Sequence, residues 1–570
     1  MHETEFKKYF AAFAAADFSI YPPPLSGSYR LPYQRGAERS HRRRIDVAER
    51  QLDSAHQQWR GHRLQTAYVP LGNRLVIPLP GEVTEYTSRL PSALAAIVIA
   101  LATFLFYSRK RSNNTAFLAA LLFLSCFEVH RAAMASRVDM VLTVFIVTAL
   151  YQLYFWAEKG MKGIPVTAAI LMGAATLTKG PVGIILPCAV TAVYLLIRKQ
   201  KLGAIIWKFA GITLLSCLLP AVWYWLAYQQ GGSSFLDLVL EENLGRFLGK
   251  MSYESHEEPF LYYIYTTLSG FLPWSVLVIV SLFMFSWSRP RKRIADYWKQ
   301  CKTCITEMED IRLFSLLSFA VIFIFYCIPK SKRTVYLLPI YPFLCYFLAE
   351  YMFWLLKNRK KAWRIFSIFL SVITGLLLIV FMALRLRWIT PEMFPEKFIA
   401  KSGYYIEALN RPLNMFGILC VLALICLLYQ IWKSRKVMVY NNRYVYTTVA
   451  LFFGVQLLLD ALILPDVLNA KSMRPFAEKV KAEIPEGKIY SYISTPMMRF
   501  FVVNFYTGNR VVNFETEQPD SGYLLVGQND FGHISAQYGD EFVFDEVMKT
   551  DRKGNDVKDI IYLYRFRKTR

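Results

Sequence analysis

The sequence lacks the signatures of a nucleotide-dependent soluble enzyme. Its 570 residues contain neither a glycine-rich phosphate loop nor a segment with the pattern of a nucleotide-binding domain. No cysteine follows Cys426, which excludes an internal disulfide from the last part of the chain, and no cleavable signal peptide is recognisable. A phosphate-bearing substrate is therefore expected to carry its phosphate on a lipid rather than on a nucleotide.

Acidic residues are scarce, because 42 Asp and Glu stand against 66 Lys and Arg, for a net charge of +24. Such an excess is common in nucleic-acid-binding proteins. Here, however, the basic runs occur on every second loop between apolar stretches, which is the positive-inside pattern of membrane proteins. These runs are Arg109–Arg111, Arg198–Lys201, Arg289–Arg293, Lys357–Lys361 and Lys433–Lys436. The distribution predicts cytoplasmic loops at these positions and no nucleic-acid partner.

Apolar residues, in contrast, are abundant: 55% of the chain is hydrophobic and the mean hydropathy is +0.28. A bilayer-spanning helix needs roughly 20 mostly apolar residues, and about twelve stretches approach that length. The predicted spans are Leu90–Tyr107, Thr115–His130, Val138–Trp156, Val166–Leu177, Val182–Ile197, Ile205–Tyr228, Phe260–Trp287, Leu313–Ile328, Val335–Leu356, Ile365–Leu384, Leu413–Trp432 and Val445–Pro465. The sequence therefore predicts an α-helical polytopic membrane protein.

The composition changes after Pro465, where apolar runs become shorter and alternate with polar residues. We therefore expect a membrane domain over residues 81–465 and a small α/β domain over residues 466–570. The charge rule places this C-terminal domain on the periplasmic side, together with the loops that lack basic runs. Its predicted elements are a helix at Arg474–Ile484 and strands at Lys488–Ile493, Val511–Phe514, Tyr523–Val526, Phe542–Val547 and Ile560–Phe566.

The outer loops carry isolated charges. Asp139 lies at the outer mouth of a span, two residues after Arg137. Because a carboxylate is costly to desolvate there, this position indicates either a functional site or a fixed ion pair with Arg137 or Arg131. Lys179 lies in a short hairpin before Gly180. Its ammonium either binds a phosphate near the lipid headgroups or extends to the membrane interface.

A second group of candidate ligands lies at the entrance of a later span. Lys332, Arg333 and Tyr336 occur there within five positions. A basic pair on an outer loop departs from the charge rule, which makes an ordinary solvated loop less favoured. Two cations and a phenol suit the phosphate of an anionic lipid.

The outer loop from Tyr228 to Pro259 is the longest one between spans. It contains Glu242, Asn243 and Arg246, and the guanidinium of Arg246 could bind a phosphate through two hydrogen bonds. His256 could bind a divalent metal together with a nearby carboxylate, although a single histidine is weak evidence for a metal site.

In their order and their sides of the membrane, the motifs of this chain resemble those of the membrane glycosyltransferases that use polyprenyl-phosphate sugars. This GT-C type family includes lipid A aminoarabinose transferases and protein O-mannosyltransferases. The motifs are Arg-Leu-Pro at Arg89, Arg-x-Asp at Arg137, Lys-Gly-Pro at Lys179, Pro-x-x-Trp-Tyr at Pro220, Glu-Asn-x-x-Arg-Phe at Glu242, His-x-x-Pro at His256, Pro-Trp at Pro273 and Lys-Arg-x-x-Tyr-x-x-Pro at Lys332. The resemblance extends from near Glu82 to the C-terminus.

The resemblance implies an inverting sugar transfer at the outer face of a bacterial inner membrane, from a polyprenyl-phosphate donor to a lipid A-like glycolipid or a protein hydroxyl. A carboxylate helps to deprotonate the acceptor hydroxyl, and cations stabilise the departing polyprenyl phosphate. Asp139 is the candidate acid. The candidate phosphate ligands are Lys179, Arg246, Lys332, Arg333 and Tyr336, with Arg137, Glu242 and Asn243 in support.

The first 80 residues depart from this family. They lack the first span and the large outer loop, with its main catalytic acid and Lys-Pro-Pro, that the resemblance implies. A one-base shift of the reading frame from near Ser26 to near Val76 would allow an acid, Gly-Asn-Trp and Lys-Pro-Pro in the family's order. We therefore hypothesise a frameshifted segment and predict little activity for the chain as written. The alternative is a divergent or disordered N-terminal extension.

Two other functions remain open. A transporter or flippase would be expected to contain inverted repeats and charges at mid-membrane, and neither is recognisable here. A membrane scaffold without catalytic activity is compatible with the unusual N-terminus.

Overall fold

The computed structural model describes residues 85–240, 257–284, 303–434, 442–493, 500–554 and 557–569. Apolar α-helices occupy most of the part before the C-terminal sheet. They are α1 (Glu85–Ser108), α2 (Asn113–Ser125), α3 (Phe127–Ala133), α4 (Asp139–Glu158), α5 (Val166–Lys179), α6 (Val182–Ile197), α7 (Leu202–Leu240), α8 (Tyr262–Gly270), α9 (Trp274–Phe283), α10 (Asp310–Cys327), α11 (Tyr341–Asn358), α12 (Lys360–Arg385), α13 (Tyr404–Leu409), α14 (Met415–Ser434) and α15 (Asn442–Leu458). A 3₁₀ helix at Thr334–Ile340 precedes α11.

Eight helical segments in the described part are long and apolar enough to cross a membrane. The bent pairs α2–α3 and α8–α9 raise this number to ten if each pair is one span, and α5 and α6 are shorter apolar helices. Each of the twelve predicted spans coincides with one of these segments, so the prediction of a helical polytopic membrane protein is confirmed.

Two predicted spans differ from expectation because they are not continuous. The axis turns by 65° between α2 and α3 and by 106° between α8 and α9. Cys126, which separates α2 from α3, has an extended backbone with ψ of 132°. Phe271, Leu272 and Pro273 separate α8 from α9, and a proline lacks the N–H that would continue the helical hydrogen bonds. Both bends lie near charged side chains that are described below.

The hairpin between α5 and α6 depends on Gly180. Its φ of 83° lies in the left-handed region that glycine adopts without a steric penalty. The Gly180 N–H donates to the Thr176 carbonyl and ends α5. Pro181 then precedes α6, so Lys179 is held at the tip of a very tight turn.

The C-terminal region contains the predicted α/β elements. Its five strands form one sheet in the order β2-β1-β3-β5-β4, in which β1 pairs in parallel with β2 and β3, and β5 pairs antiparallel with β3 and β4. The elements are α16 (Leu464–Lys471), α17 (Arg474–Glu483), β1 (Ile489–Tyr492), α18 (Phe501–Tyr506), β2 (Val511–Asn513), α19 (Phe514–Glu517), β3 (Ser521–Gly527), α20 (Gln528–Tyr538), β4 (Phe542–Lys549) and β5 (Ile561–Lys568). The predicted helix and the five predicted strands are confirmed.

Alternating residues of the strands supply a core on each face of the sheet. Ile489 and Leu525 belong to one core, where Phe476 and Val480 of α17 also pack. The other core contains Leu524, Val526, Phe566 and Ile534 of α20, among other residues. The small domain is therefore a sheet with helices on both faces.

The chain divides into two compact units. The first contains the described residues of 61–379 and 415–457, and the second contains those of 380–414 and 458–570. The described residues of the candidate active site all belong to the first unit.

Candidate active site

Charged residues from three separate loops meet at one end of the first unit. Asp139 is the first residue of α4, and Lys179 is the last residue of α5. Lys332 and Arg333 directly precede the 3₁₀ helix that contains Tyr336. The structure thus brings together three of the four outer motifs that the sequence suggested, and the fourth lies outside the described residues.

Asp139 and Lys179 form a largely buried ion pair. The Lys179 ammonium donates to Asp139 Oδ1, and the two side chains are 25% and 10% exposed. The partner of Asp139 is thus Lys179, rather than Arg137 or Arg131 as the ion-pair alternative supposed. The Lys179 ammonium is therefore held by a carboxylate of the protein.

Tyr336 completes this arrangement from the other side of Lys179. The Lys179 ammonium lies 4.3 Å from the centroid of the Tyr336 ring, a distance that allows a cation–π interaction. The Tyr336 hydroxyl is buried and has no hydrogen-bond partner within the described part of the chain. Since a buried hydroxyl without a partner is costly, this group is available for a ligand oxygen beside the ammonium.

The segment that carries Lys332 and Arg333 is held by its neighbours. The buried Lys332 side chain donates from Nζ to the Glu258 carbonyl over 2.9 Å, so its ammonium already has one protein partner. The Arg333 backbone N–H donates to the Tyr263 hydroxyl over 3.3 Å. These contacts fix the backbone of the segment and leave the Arg333 guanidinium as its better candidate for phosphate binding.

Glu128 and Arg131 also belong to this site, although the sequence analysis did not select them as ligands. Arg131 donates to Glu128 through Nε over 2.9 Å and through Nη2 over 2.6 Å, which is a two-pronged guanidinium–carboxylate pair. Arg131 Nη2 also lies 3.2 Å from Thr334 Oγ1. A buried carboxylate inside the predicted span Thr115–His130 was the signal that could have identified this pair.

Glu128 lies where the two bent helix pairs meet. The Phe127 N–H donates to the Leu272 carbonyl over 3.2 Å. A Cβ on Gly270 would come within 2.9 Å of the Glu128 Cβ, so only glycine permits this approach. The Glu128–Arg131 pair therefore connects both bends to the segment that begins at Thr334.

Positive charge exceeds negative charge at this site. Arg131, Arg137, Lys179 and Arg333, which we call the cation cluster, interact electrostatically with Asp139. Glu128 is the other carboxylate that acts on Arg131 and Arg137. Among these described groups, four cations thus face two carboxylates. A bound phosphate would offset the excess.

Arg137 keeps its charge despite partial burial. Burial lowers the pKa of its guanidinium from the ordinary value, and the Asp139 carboxylate opposes that shift. An arginine side chain nevertheless stays protonated at any physiological pH. The Arg137 carbonyl accepts a hydrogen bond from the Ser92 hydroxyl over 2.8 Å, which fixes the loop before α4.

The remaining predicted site residues lie outside the described part of the chain. They are Glu242, Asn243, Arg246 and His256. Within the described residues, no group of three His, Cys, Asp or Glu side chains is arranged to hold a metal ion. The metal site predicted at His256 stays a prediction.

Known proteins resemble this chain in sequence. Residues 70–225 match the model of the family described as dolichyl-phosphate-mannose-protein mannosyltransferase. An undecaprenyl phosphate-alpha-4-amino-4-deoxy-L-arabinose arabinosyl transferase from Proteus mirabilis is 28% identical over 51% of this chain and 50% of its own length. An uncharacterised protein from Aquifex aeolicus is 29% identical over 55% of this chain and 57% of its own length.

A solved structure has the same fold. The crystal structure of ArnT from Cupriavidus metallidurans bound to undecaprenyl phosphate superposes with a TM-score of 0.58 at 16% identity, over 87% of this chain and 86% of that one. This chain is thus similar in sequence to an arabinosyl transferase named for undecaprenyl phosphate and similar in fold to ArnT. The Asp139–Lys179 pair lies within the matched region 70–225, whereas Arg333 and Tyr336 lie beyond it. The chain aligns with only about half the length of the curated relatives named above.

Proposed function

We propose that this protein transfers a sugar from a polyprenyl-phosphate donor to a hydroxyl acceptor at the outer face of a bacterial inner membrane. The observation that carries the proposal is the Lys179 ammonium, placed between the Asp139 carboxylate and the face of the Tyr336 ring, with the rest of the cation cluster around it. The names of the relatives support a lipid-phosphate donor, because the arabinosyl transferases and the ArnT structure both refer to undecaprenyl phosphate.

The geometry suits stabilisation of the leaving group. The donor phosphodiester carries one negative charge, and a second develops as the bond between the anomeric carbon and the phosphate oxygen breaks. Cations placed in advance around that oxygen stabilise the developing charge without further rearrangement. Lys179 and Arg333 are the proposed contacts to the phosphate, with Tyr336 as a hydrogen-bond donor, and Arg246 remains a proposed ligand outside the described residues.

The acceptor must lose a proton as its oxygen bonds to the anomeric carbon. Asp139 is the carboxylate of this cluster that we propose to receive the proton. Its ion pair with Lys179 also gives it a second role, because the carboxylate holds the ammonium in place. The positive charge of Arg137 attracts the Asp139 carboxylate. The acceptor is proposed to be a lipid A-like glycolipid or a protein hydroxyl.

A transfer assay tests the proposal. Radiolabelled polyprenyl-phosphate sugar is added to proteoliposomes that contain the chain with the alternative reading frame restored, with a lipid A-type glycolipid or a serine- and threonine-rich peptide as acceptor. Label should move to one acceptor and not the other. Movement of the donor across the vesicle without transfer would support a flippase, and donor binding with neither event would support a scaffold.

The hypothesis of a frameshifted segment concerns residues that lie outside the described part of the chain, and it remains a proposal. The assay should therefore compare the chain as written with one in which the alternative frame from near Ser26 to near Val76 is restored. We expect transfer to rise with the restored frame. Sequencing of the gene gives an independent test, because a single intact frame with no missing base would contradict the hypothesis.

A further inference from the structure

Three arginines of the second unit lie in or beside the connection between two candidate membrane spans. Arg385 is the last residue of α12, Arg387 follows it, and Arg411 lies four residues before α14 begins at Met415. Both helices are long and apolar enough to cross a membrane. A connection between two consecutive spans lies at one membrane surface, where the lipid headgroups are.

Arg385 is buried and contacts several groups of this connection. Its side chain is 5% exposed and donates from Nη2 to Asp466 Oδ2 over 2.7 Å. The same nitrogen donates to the Leu462 carbonyl, and Nη1 donates to the Arg411 carbonyl over 3.3 Å. The guanidinium of Arg385 therefore already has several partners within the protein. It ties the end of α12 to the backbone of Arg411 and to the carboxylate of Asp466.

Arg387 and Arg411 remain accessible. Arg411 is 66% exposed, and its contact with Asp466 Oδ1 is a long one of 3.9 Å. Arg387 is exposed and donates from Nε to the Asn410 carbonyl over 3.3 Å. Its φ of 59° is unusual for a residue other than glycine and turns the chain sharply at the end of α12. Arg387 is thereby held against the backbone of Asn410, the residue that precedes Arg411.

Charge and apolar surface coincide at this junction. The arginines bring three positive charges, and Asp466 is the carboxylate in contact with two of them among the described residues. Leu386 and Trp388 flank Arg387 and are 51% and 71% exposed. Tryptophan and leucine beside basic side chains are typical of a surface that rests in the membrane interface. The connection also lies on the side where the positive-inside rule does not call for basic residues.

We propose that Arg387 and Arg411, held by Arg385 and Asp466 and flanked by Leu386 and Trp388, bind the phosphodiester headgroup of an anionic membrane phospholipid. Guanidinium groups match a phosphate through paired hydrogen bonds. A zwitterionic headgroup carries its own cation close to the phosphate and gains less from the two arginines. This lipid site belongs to the second unit and does not depend on the proposed sugar transfer.

A photoreactive phosphatidylglycerol with a diazirine near its headgroup tests this site. The purified full chain is reconstituted in phosphatidylcholine nanodiscs with a low fraction of the probe, and labelling is mapped to peptides within residues 386–411. Since each basic side chain near an anionic lipid surface strengthens binding by about 1 kcal/mol, the double variant R387Q/R411Q should weaken labelling about thirtyfold. Both positions are exposed, so the fold should persist. The R387K/R411K variant should retain most of the labelling.

The control removes two positive charges from the opposite end of α12 and from the adjacent end of α11. The K357Q/K361Q variant changes two exposed lysines there and should label residues 386–411 as the unchanged chain does. Equal loss in both double variants would overturn the proposal, because it would show only general charge attraction. Equal labelling by a photoreactive phosphatidylcholine would overturn it in favour of apolar contact alone. Full competition by inorganic phosphate would overturn it in favour of a site for free phosphate.

Discussion

The two ends of helix α4 lie in different electrostatic surroundings. The helix has 20 residues and is therefore about 30 Å long. At its Asp139 end, the four cations of the cluster face two carboxylates. At its Glu158 end, four other cations each have a carboxylate within ion-pair distance, and we call this the matched end. The pairs there are Lys110 with Glu158, Arg111 with Glu309 and with Glu350 (3.3 Å), Arg312 with Glu350 (3.1 Å) and Arg198 with Asp310 (2.7 Å).

Aromatic stacking and hydrogen bonds to hydroxyl groups also stabilise the matched end. The rings of Tyr107 and Tyr346 stack with centroids 4.1 Å apart. The Tyr107 hydroxyl and Ser315 Oγ lie 2.8 Å apart, and Arg111 Nε donates to the Tyr346 hydroxyl over 2.9 Å. These contacts join α1, α10 and α11. The contacts at the matched end therefore hold the helices together, whereas the cation cluster at the Asp139 end can still bind an anion.

The difference also bears on the transporter alternative. A transporter must open each end of its helical bundle in turn. Here the Glu158 end is closed by several ion pairs and a stacked ring pair, so opening it would break many contacts at once. We therefore favour chemistry at the Asp139 end over passage through the bundle.

The largest effect is expected for Lys179→Gln, which leaves the Asp139 carboxylate without its partner. Removing one member of a buried ion pair typically costs roughly 3–5 kcal/mol, and the partial exposure of Lys179 places the loss near the lower value. Thermal unfolding in detergent measures it. The double variant K179Q/D139N should regain most of the stability but not the binding of polyprenyl phosphate. If the double variant bound normally, the ion pair would have only a structural role.

The next largest effect is expected from a comparison of two variants, one at each end of α4. Glu128→Gln weakens the hydrogen bonds that hold Arg131, which in turn contacts Thr334. We therefore expect roughly tenfold weaker binding of polyprenyl phosphate together with a loss of stability. Glu350→Gln, at the matched end, should lower stability and leave binding unchanged. Tighter binding by the Glu128 variant would show that the carboxylate merely masks a cation.

Tyr336→Phe should have a smaller effect, restricted to binding. The variant removes a hydroxyl that has no protein partner within the described residues, so the stability of the free protein should hardly change. Polyprenyl phosphate should bind roughly fivefold more weakly, because one hydrogen bond with a typical net contribution of about 1 kcal/mol is lost. A ligand-dependent thermal shift measures both quantities. Tyr326→Phe, which alters the adjacent ring, is the control and should bind as before.

The smallest effect is expected for Lys110→Gln at the matched end. Lys110 and Glu158 are 35% and 38% exposed, and surface pairs of this kind contribute at most about 1 kcal/mol. The free energy of unfolding should change by less than that, with normal binding of polyprenyl phosphate. A loss comparable to that of Lys179→Gln would contradict the distinction between the two ends.

Much of the architecture follows from the sequence. Apolar runs predicted the helical segments that are long and apolar enough to cross a membrane, together with the two shorter apolar helices. Alternating residues such as those of Tyr523–Val526 predicted the strands of the sheet. The bends at Cys126 and Pro273 were not predicted, because a hydropathy pattern reports how apolar a stretch is and not the direction of its axis.

The sequence by itself determined which residues of the site are charged and at which end of the spans they lie. Only the tertiary structure decided how they pair. Asp139 meets Lys179, which is 40 residues away, although Arg137 is closer in the chain. Arg131 meets Thr334 across 203 residues. Charged groups pair with the groups that helix packing places near them, rather than with those that are close along the chain. That packing also placed more cations than carboxylates in the cluster at the Asp139 end.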